Sequence, residues 1–379
     1  MKSVDPQPTR LTQLDAIRGI AALVVVFNHY IQTFPEATRQ LVDIRGGAFN
    51  PDAWLTPWPW LRFTPLRLLV DGHAAVVIFF LLSGFVLALP VTQDSQPQFF
   101  PFIAKRICRV FIPFAATILV IAMALHIAPL QQNPLASNWF NNNITSLDNV
   151  SLTDHLLMTG FDMKLNPVMW SLVHEIRISA FLLVIFMAIR RFGALGTTLC
   201  SLLLSVIFTL GMSDSANGSW QSTAHFLWMF SVGAALSFHR ETIKCFISCV
   251  RGDLVVALWL FAFGLLAIPF DRVWSDFLIG SGAVLLIVLS LRAGMVVSVL
   301  NSRIPIWLGR VSYSLYLIHW PMLFFVVSND AMPLWAALTL TLITAEITHR
   351  TVESPAHKLG IFIGKRIRSQ ADNFISLER

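Results

Sequence analysis

Long apolar runs alternate with short polar segments along almost the whole chain. A transmembrane helix needs about 20 consecutive, mostly apolar residues, and runs close to that length recur here. The pattern therefore predicts an all-α fold, a polytopic bundle of about ten transmembrane helices. The predicted spans cover residues 16–34, 72–91, 110–128, 167–189, 194–212, 223–238, 254–270, 276–292, 311–328 and 335–353.

Composition supports a membrane protein. Hydrophobic residues make up 55% of the 379 positions and charged residues 13%, whereas soluble domains carry about 25% charged residues. The charges lie in clusters between the apolar runs, and no linker-like break divides the chain. We expect one transmembrane domain over residues 15–360, with a cytoplasmic leader over 1–14 and a basic cytoplasmic tail over 361–379.

Lysine and arginine residues set the expected orientation. With the N-terminus inside, inner segments hold 18 of them and outer segments 6, which is the bias seen on the cytoplasmic side of membrane proteins. We expect both termini to face the cytoplasm. The formal net charge of +6 does not indicate nucleic-acid binding, because the basic residues form no stripe interleaved with aromatics.

The four cysteines predict neither a disulfide framework nor a metal site. They are Cys108, Cys200, Cys245 and Cys249. Three of them lie in or beside expected cytoplasmic segments, where thiols stay reduced. Cys245 and Cys249 share a helix face, but two thiols alone make a poor zinc site.

The first predicted span carries three ionisable residues, Asp15, Arg18 and His29. Burying such groups in a bilayer is costly, so each is a candidate for function. Asp15 and Arg18 are three residues apart and share a helix face, where they can pair. His29 lies 11 residues beyond Arg18, about 17 Å along a helix. We expect an anion-facing inner end and a proton-handling site at His29.

The fourth predicted span carries His174, Glu175 and Arg177. Glu175 lies about 12 Å into the membrane from the outer side, a depth at which it can meet His29. A carboxylate there would orient the imidazole and stabilise its protonated form. The alternative is structural, with Glu175 pairing either with Arg177 or with another helix.

Arg106 and Arg109 open the third predicted span at the inner face. Arginines at i and i+3 point the same way, and a guanidinium matches a phosphate with two parallel hydrogen bonds. Together with Lys105 they predict a phosphate site at the cytoplasmic mouth. The alternative is that the cluster only signals membrane topology.

Two further polar stripes are predicted near the end of the chain. Ser312, Tyr316 and His319 share one face of the ninth span, with Tyr313 nearby. The tenth span carries four polar residues at the i, i+3, i+4, i+7 spacing of one helix face, which should point into the bundle. We expect that second stripe either to line a channel or to form a structural charge network. Its members are Glu346, His349, Arg350 and Glu353.

Six motifs in order make the chain resemble the membrane acyltransferases called the acyltransferase 3 family, from about residue 11 to 360. The sequence departs from the family pattern in two places. Val76-Val77-Ile78 stands where many members have an acidic residue, and Ile176-Arg177-Ile178 follows Glu175 where an aromatic pair is common. The motifs are LDAIRGIAA at 14–22 with FNH at 27–29, FFLLSGF at 79–85, RICR at 106–109, WSLVHE at 170–175, LGRVSYSLYLIHWP at 308–321 and VESP at 352–355.

The resemblance implies a ten-helix core that takes an acyl group, often acetyl, from acyl-CoA such as acetyl-CoA. It implies a glycan acceptor: an envelope polysaccharide, a lipid-linked sugar or a small glycoside. It makes His29 the catalytic base, Arg18 a supporting functional arginine, and Arg106 and Arg109 the contacts to the donor's phosphates. Glu175 carries over more weakly. Some members add an extracytoplasmic domain that completes transfer, so this chain either reaches the acceptor itself or passes the acyl group to a separate extracytoplasmic transferase.

These readings combine into one expected mechanism. Acyl-CoA docks its phosphates on Arg106 and Arg109, and its pantetheine arm passes Arg18 to bring the thioester to His29. His29, supported by Glu175 or His174, then deprotonates an acceptor hydroxyl, which attacks the thioester. The alternative from another class is a proton-coupled transporter or flippase of an anionic or sugar-linked solute, which would use the same ionisable groups without chemical change.

Overall fold

A computed structural model describes residues 11–37, 55–93, 99–211, 218–268, 272–328 and 333–377. Within these ranges the chain is all-α, with no strand, which confirms the predicted fold class. The first eight α-helices are α1 Thr12–Gln32, α2 Pro57–Phe63, α3 Gly72–Gln93, α4 Phe99–Ile127, α5 Asn138–Asn142, α6 Leu152–Leu156, α7 Met169–Thr209 and α8 Trp220–Phe238. The remainder are α9 Arg240–Cys249, α10 Gly252–Leu266, α11 Arg272–Ser290, α12 Met295–Leu300, α13 Arg303–Ser328, α14 Leu334–Thr348 and α15 Ser354–Leu377.

Shorter helical turns also occur in the described ranges. A 3₁₀ helix covers Pro65–Leu69, another covers Leu147–Asn149, and a π-helix covers His349–Glu353 between α14 and α15. The predicted leader over residues 1–14 lies mostly outside the described residues. Much of the first predicted outer segment, over residues 38–54, lies outside them too.

Five helices of the described ranges are long and apolar enough to cross a membrane, namely α1, α3, α4, α7 and α13. Two shorter apolar helices, Gly252–Leu266 and Trp274–Ser290, add to them. Helix α7 joins two of the predicted spans through Gly193, whose φ of 83° is a left-handed value that glycine adopts without strain. Within the described residues each of the ten predicted runs falls mostly on helix, while ten membrane crossings remain a prediction.

Two of the long helices begin earlier than their apolar runs predicted. Helix α4 starts at Phe99, not near residue 110, and α13 starts at Arg303, not near residue 311. Hydrophobicity marks the part of a helix that suits hydrocarbon, whereas the backbone continues in helical form into the polar region. Arg106 therefore lies about two turns inside α4, which corrects the prediction that it opens the helix.

Helix α1 packs most extensively against α13 and also against α3. A Cβ atom on Gly19 of α1 would overlap the backbone nitrogen of Gly309 on α13, and a Cβ on Gly309 would overlap the carbonyl of Asp15. The two glycines thus let the helix backbones meet, as small residues do between membrane helices. This approach brings the polar face of α13 against Arg18.

The two ends of the bundle differ. The arginine end is where Arg18, Arg106 and Arg109 lie together. The loop end is where residues 129–166 lie, and α4 separates it from Arg106 by about 32 Å. Helix α15 packs on the start of α4, with its Gly360 against Cys108 and Lys105, so the starts of α1 and α15 share the arginine end.

The polar stripe predicted for the tenth span is only partly confirmed. Glu353 is buried, but Arg350 has 71% of its side chain exposed. A π-helix over His349–Glu353 interrupts the α-helical spacing of the stripe, and its wider turn shifts the register of the residues that follow. Arg350 instead bonds Glu346, whose carboxylate also accepts from Arg310.

Candidate active site

A cavity of about 90 Å³ opens at the arginine end of the bundle. Its wall comes from α1, α3, α4, α7, α13 and the π-helix. Charged and hydroxyl groups converge on it from helices far apart in sequence, the arrangement expected of a polar ligand site. The polar residues of the wall are Arg18, Ser83, Arg106, Arg109, Ser171, Glu175, Ser312, Tyr313, Tyr316 and Glu353.

Glu175 pairs with Arg106 across α7 and α4, and not with His29. Its Oε1 atom accepts from the Arg106 guanidinium and, at 2.9 Å, from the hydroxyl of Ser83. Arg106 also donates from Nε to Ser179 at 3.1 Å. Glu175 therefore forms an interhelix pair and makes no contact with His29, so that its catalytic role stays a prediction.

His174 does not support His29 either. It is buried, and its Nδ1 lies 2.8 Å from the hydroxyl of Thr223 on α8. Its ring meets those of Trp170 and Phe226. Arg177 turns to the loop end, where it donates to backbone carbonyls and lies over the Trp220 ring.

Arg18 lies between its own helix and α13. It donates to Asp15 at 3.0 Å, as the i, i+3 spacing predicted, and from Nε to the hydroxyl of Ser312 at 3.2 Å. Ser312 belongs to the polar face predicted for the ninth span. Both contacts leave the guanidinium on the cavity wall.

Arg109 lies on the cavity wall with an uncommitted guanidinium, which here means one that donates no hydrogen bond to a described residue. No residue of the described ranges accepts a hydrogen bond from it or pairs with it within 4 Å. Glu353 and Glu175 attract it from a distance, while Arg18 and Arg106 repel it. Glu353 is held by Ser314 at 2.7 Å and by His349 at 3.0 Å. The five N–H donors of Arg109 therefore remain available to an anion that enters the cavity.

His29 is partnered by His319 of α13, a contact that sequence reasoning missed. His29 Nδ1 lies 2.9 Å from His319 Nε2, and the two rings stack with centroids 5.1 Å apart. His319 is fully buried, and its Nδ1 lies 3.2 Å from the carbonyl of Leu315. A carbonyl only accepts, so His319 Nδ1 carries a proton and, in the neutral ring, Nε2 accepts from His29. This order leaves the lone pair of His29 on Nε2, where a base needs it.

Tyr316 lies between the cavity and the histidine pair. Its ring is 5.8 Å from that of His319, and its hydroxyl lies 2.8 Å from Ser171 on the cavity wall. Ser312, Tyr316 and His319 thus form one polar face from Arg18 to His29, which confirms the helical spacing predicted for them. His29 itself does not line the cavity.

A second polar cluster lies in the loop-end half of the bundle. We define the histidine–aspartate cluster as His73, His225 and Asp276. Asp276 bridges the other two, through Oδ1 to His73 and through Oδ2 to His225 at 2.9 Å. His225 Nδ1 lies 2.7 Å from the hydroxyl of Thr209. None of these residues belongs to the motifs above. The sequence feature that could have revealed this cluster is the presence of one aspartate and two histidines in three separate apolar runs.

Comparison with known proteins assigns the chain to a family. The model of the acyltransferase 3 family, described as an acyltransferase domain, matches residues 11–345. The match covers almost the whole chain, so the chain belongs to this family. It is an acyl-transferring enzyme with the apolar helices of a membrane protein. No curated protein and no solved structure matches it.

Proposed function

From its membership in the acyltransferase 3 family, we propose that the chain transfers an acyl group, in the first instance acetyl, from acyl-CoA to a hydroxyl of a cell-envelope glycan or lipid-linked sugar. The proposal places it in a bacterial inner membrane with the arginine end toward the cytoplasm. One observation carries it. An uncommitted arginine in a cavity is joined by a single polar helix face to a histidine with a basic nitrogen.

The arginine end suits the phosphates of the donor. Arg109 offers all of its donors, and Arg106 offers those not used by Glu175 and Ser179. Two guanidiniums on one wall match the oxygens of a diphosphate, to which arginine binds with two hydrogen bonds at a time. At about 90 Å³ the cavity admits phosphate oxygens before the longer pantetheine arm. Donor binding is therefore coupled to movement of the wall.

The chemical step uses His29 as a base and His319 as its support. His29 Nε2 takes the proton of the acceptor hydroxyl, and the oxygen attacks the thioester carbonyl. The C–S bond breaks, the new ester forms, and the thiolate leaves and takes up the proton. His319 holds the Nδ1 proton of His29 in place and accepts part of the charge of the imidazolium. In this proposal His319 takes the supporting role that the sequence had suggested for Glu175.

Mass spectrometry of surface glycans from cells expressing each variant tests the function. Wild type should add a base-labile acetyl mass, and His29→Gln should lower its yield by about 10²- to 10⁴-fold, the usual contribution of a general base. His126→Gln is the matched control, because His126 is exposed near the far end of α4. An acetyl mass gain that persists in His29→Gln would support the transferase but contradict the role of His29 as its base. Absence of any gain, with the protein present in membranes, would contradict the proposed function.

A further inference from the structure

The loop end carries a second cavity, of about 550 Å³, which no motif covers. Its volume lies within the range of about 300–1,000 Å³ typical of small-molecule sites. Asparagines, hydroxyls and one lysine dominate its wall, so it differs from the charged cavity at the arginine end. We call it the amide groove, and its polar residues are Asn142, Asn143, Thr145, Ser146, Asn149 and Lys164.

Several polar atoms of the amide groove are not used within the protein. No described residue hydrogen-bonds the carboxamide of Asn142. Asn143 and Asn149 each donate from Nδ2, to Trp139 O at 2.8 Å and to Ser146 Oγ at 3.1 Å, and their Oδ1 atoms remain as acceptors. Lys164 donates one ammonium proton to the carbonyl of Asn149 at 3.0 Å, which leaves two.

The frame of the amide groove is fixed by backbone contacts. Asp162 accepts from the N–H of Ser151 at 2.7 Å and from that of Lys164 at 3.0 Å. Burial alone would raise the pKa of the Asp162 carboxyl, but these two N–H donors hold it below its ordinary value. The carboxylate therefore stays ionised and closes the loop that presents Lys164.

The amide groove is tied directly to His29. Trp139, on the same short helix α5 as Asn142, stacks on the His29 ring with centroids 6.0 Å apart and planes 11° apart. Asn143 bonds the carbonyl of Trp139, as noted above. Ser137, at the start of α5, bonds the last turn of α1 through Gln32 O at 2.6 Å and Thr33 O at 2.9 Å. One short helix therefore connects the groove wall with the imidazole.

The chemistry of the wall selects its ligand. A carboxamide presents one acceptor and two donors side by side, which matches the paired hydroxyls of a sugar ring, each both donor and acceptor. The groove holds a single ammonium and no guanidinium, so it does not repeat the phosphate-binding character of the arginine end. We propose that the amide groove binds a sugar unit of the acceptor and presents one hydroxyl toward His29 beside Trp139.

The role of the bound sugar as acyl acceptor rests on the proposed function, whereas the binding of a sugar does not. The two ends lie about 32 Å apart along α4. The donor and the sugar would therefore enter the bundle from opposite ends, with the donor phosphates at the arginine end and the sugar at the loop end. The thioester and the hydroxyl then meet near His29, between the two. This arrangement would require no separate protein to carry the acyl group to the acceptor.

Saturation-transfer NMR on the purified full chain in nanodiscs tests the groove directly. The probe is the native host's surface polysaccharide, released by mild acid. Wild type should transfer saturation to sugar protons, and Asn142→Ala and Lys164→Gln should each raise the dissociation constant by about fivefold, the loss expected for one hydrogen bond. Asn138→Ala is the matched control, because Asn138 is exposed on α5 but lies outside the groove wall.

The outcomes separate this inference from the proposed function. A rise of about fivefold in the dissociation constant of both groove variants, with an unchanged value in Asn138→Ala, supports the sugar site. No saturation transfer in wild type, or equal binding in all variants, overturns it. Release of the thiol from acetyl-CoA by the same wild-type sample measures thioester cleavage and tests the transferase separately. Sugar binding without thioester cleavage would therefore support the sugar site in the groove and contradict the proposed transferase activity.

Discussion

The arginine cavity and the histidine–aspartate cluster both bury charge within helices, yet they differ in how that charge is used. In the cluster both carboxylate oxygens of Asp276 are bonded, and His225 is bonded at both ring nitrogens. In the cavity Arg106 donates to Glu175, while Arg109 donates a hydrogen bond to no described residue. Buried charges that partner one another hold a structure together, whereas an uncommitted charge on a cavity wall indicates a ligand.

The contrast extends to position. The cluster joins α3, α8 and α11 at a place that lines neither of the two cavities. The arginines face space that a ligand can occupy. We therefore propose that the first region contributes to stability and that the second binds the donor. Substitutions should separate the two properties.

Asp276→Ala should give the largest effect and should act on stability. Removing the carboxylate leaves two histidines without their shared partner in a buried site. The free energy of unfolding should fall by about 3–5 kcal/mol, the cost of breaking a buried charge network on one side. Thermal unfolding in nanodiscs measures it.

Asp253→Ala provides the matched control for that substitution. Asp253 pairs with Arg251, but its side chain is 65% exposed, so its removal should cost less than about 1 kcal/mol. Should Asp276→Ala unfold like this control yet abolish acyl transfer, the cluster would belong to the reaction, and the division between the two regions would be wrong.

Sequence patterns predicted the helices because apolar length and helical spacing are local properties. The Asp15–Arg18 pair and the common face of Ser312, Tyr316 and His319 follow directly from residues three and four apart. The start of α4 escaped prediction because Arg106 lies in helix that extends past the apolar run. The number of membrane crossings beyond the five long helices is likewise not given by helix content.

Arg106→Gln should give the next largest effect, because we expect Arg106 to contribute both to stability and to donor binding. The substitution leaves Glu175 with only Ser83 as hydrogen-bond donor, so stability should fall by about 1–3 kcal/mol. Donor binding should also weaken, seen as a rise in KM for acetyl-CoA. Parallel measurement of thermal unfolding and of thiol release checks both effects. Unchanged stability would show that solvent or another group replaces the pair.

Arg109→Gln should affect donor binding alone. No hydrogen bond within the described protein is lost, so the unfolding temperature should stay close to that of wild type. KM for acetyl-CoA should rise by about tenfold to hundredfold, since a hydrogen bond to a charged group contributes about 1.5–3 kcal/mol. An unchanged KM together with lower stability would make Arg109 a structural residue and remove the main support for the donor site.

The partners of His29 and Glu175 were beyond sequence reasoning for a different reason. Depth along a helix is readable from residue number, but rotation of one helix against another is not. The residue numbers predicted similar depths for Glu175 and His29, yet Glu175 faces Arg106 on the cavity wall, while His29 faces His319. The packing of α1 on α13 through Gly19 and Gly309 brings His29 against His319, whereas contact between α7 and α4 brings Glu175 against Arg106.

Ionic strength should give the smallest effect and the finest test of the donor site. Salt screens charges near a solvent-exposed mouth, with a Debye length of about 10 Å at 0.1 M. KM for acetyl-CoA should therefore rise by about twofold to fivefold between 0.05 and 0.5 M salt, and by less in Arg109→Gln. The matched substrate is S-acetyl-pantetheine, which carries the same thioester without phosphates, and its KM should not change with salt. Equal salt dependence for both substrates would place the effect outside phosphate recognition, and the arginine end would then lose its role in binding the donor.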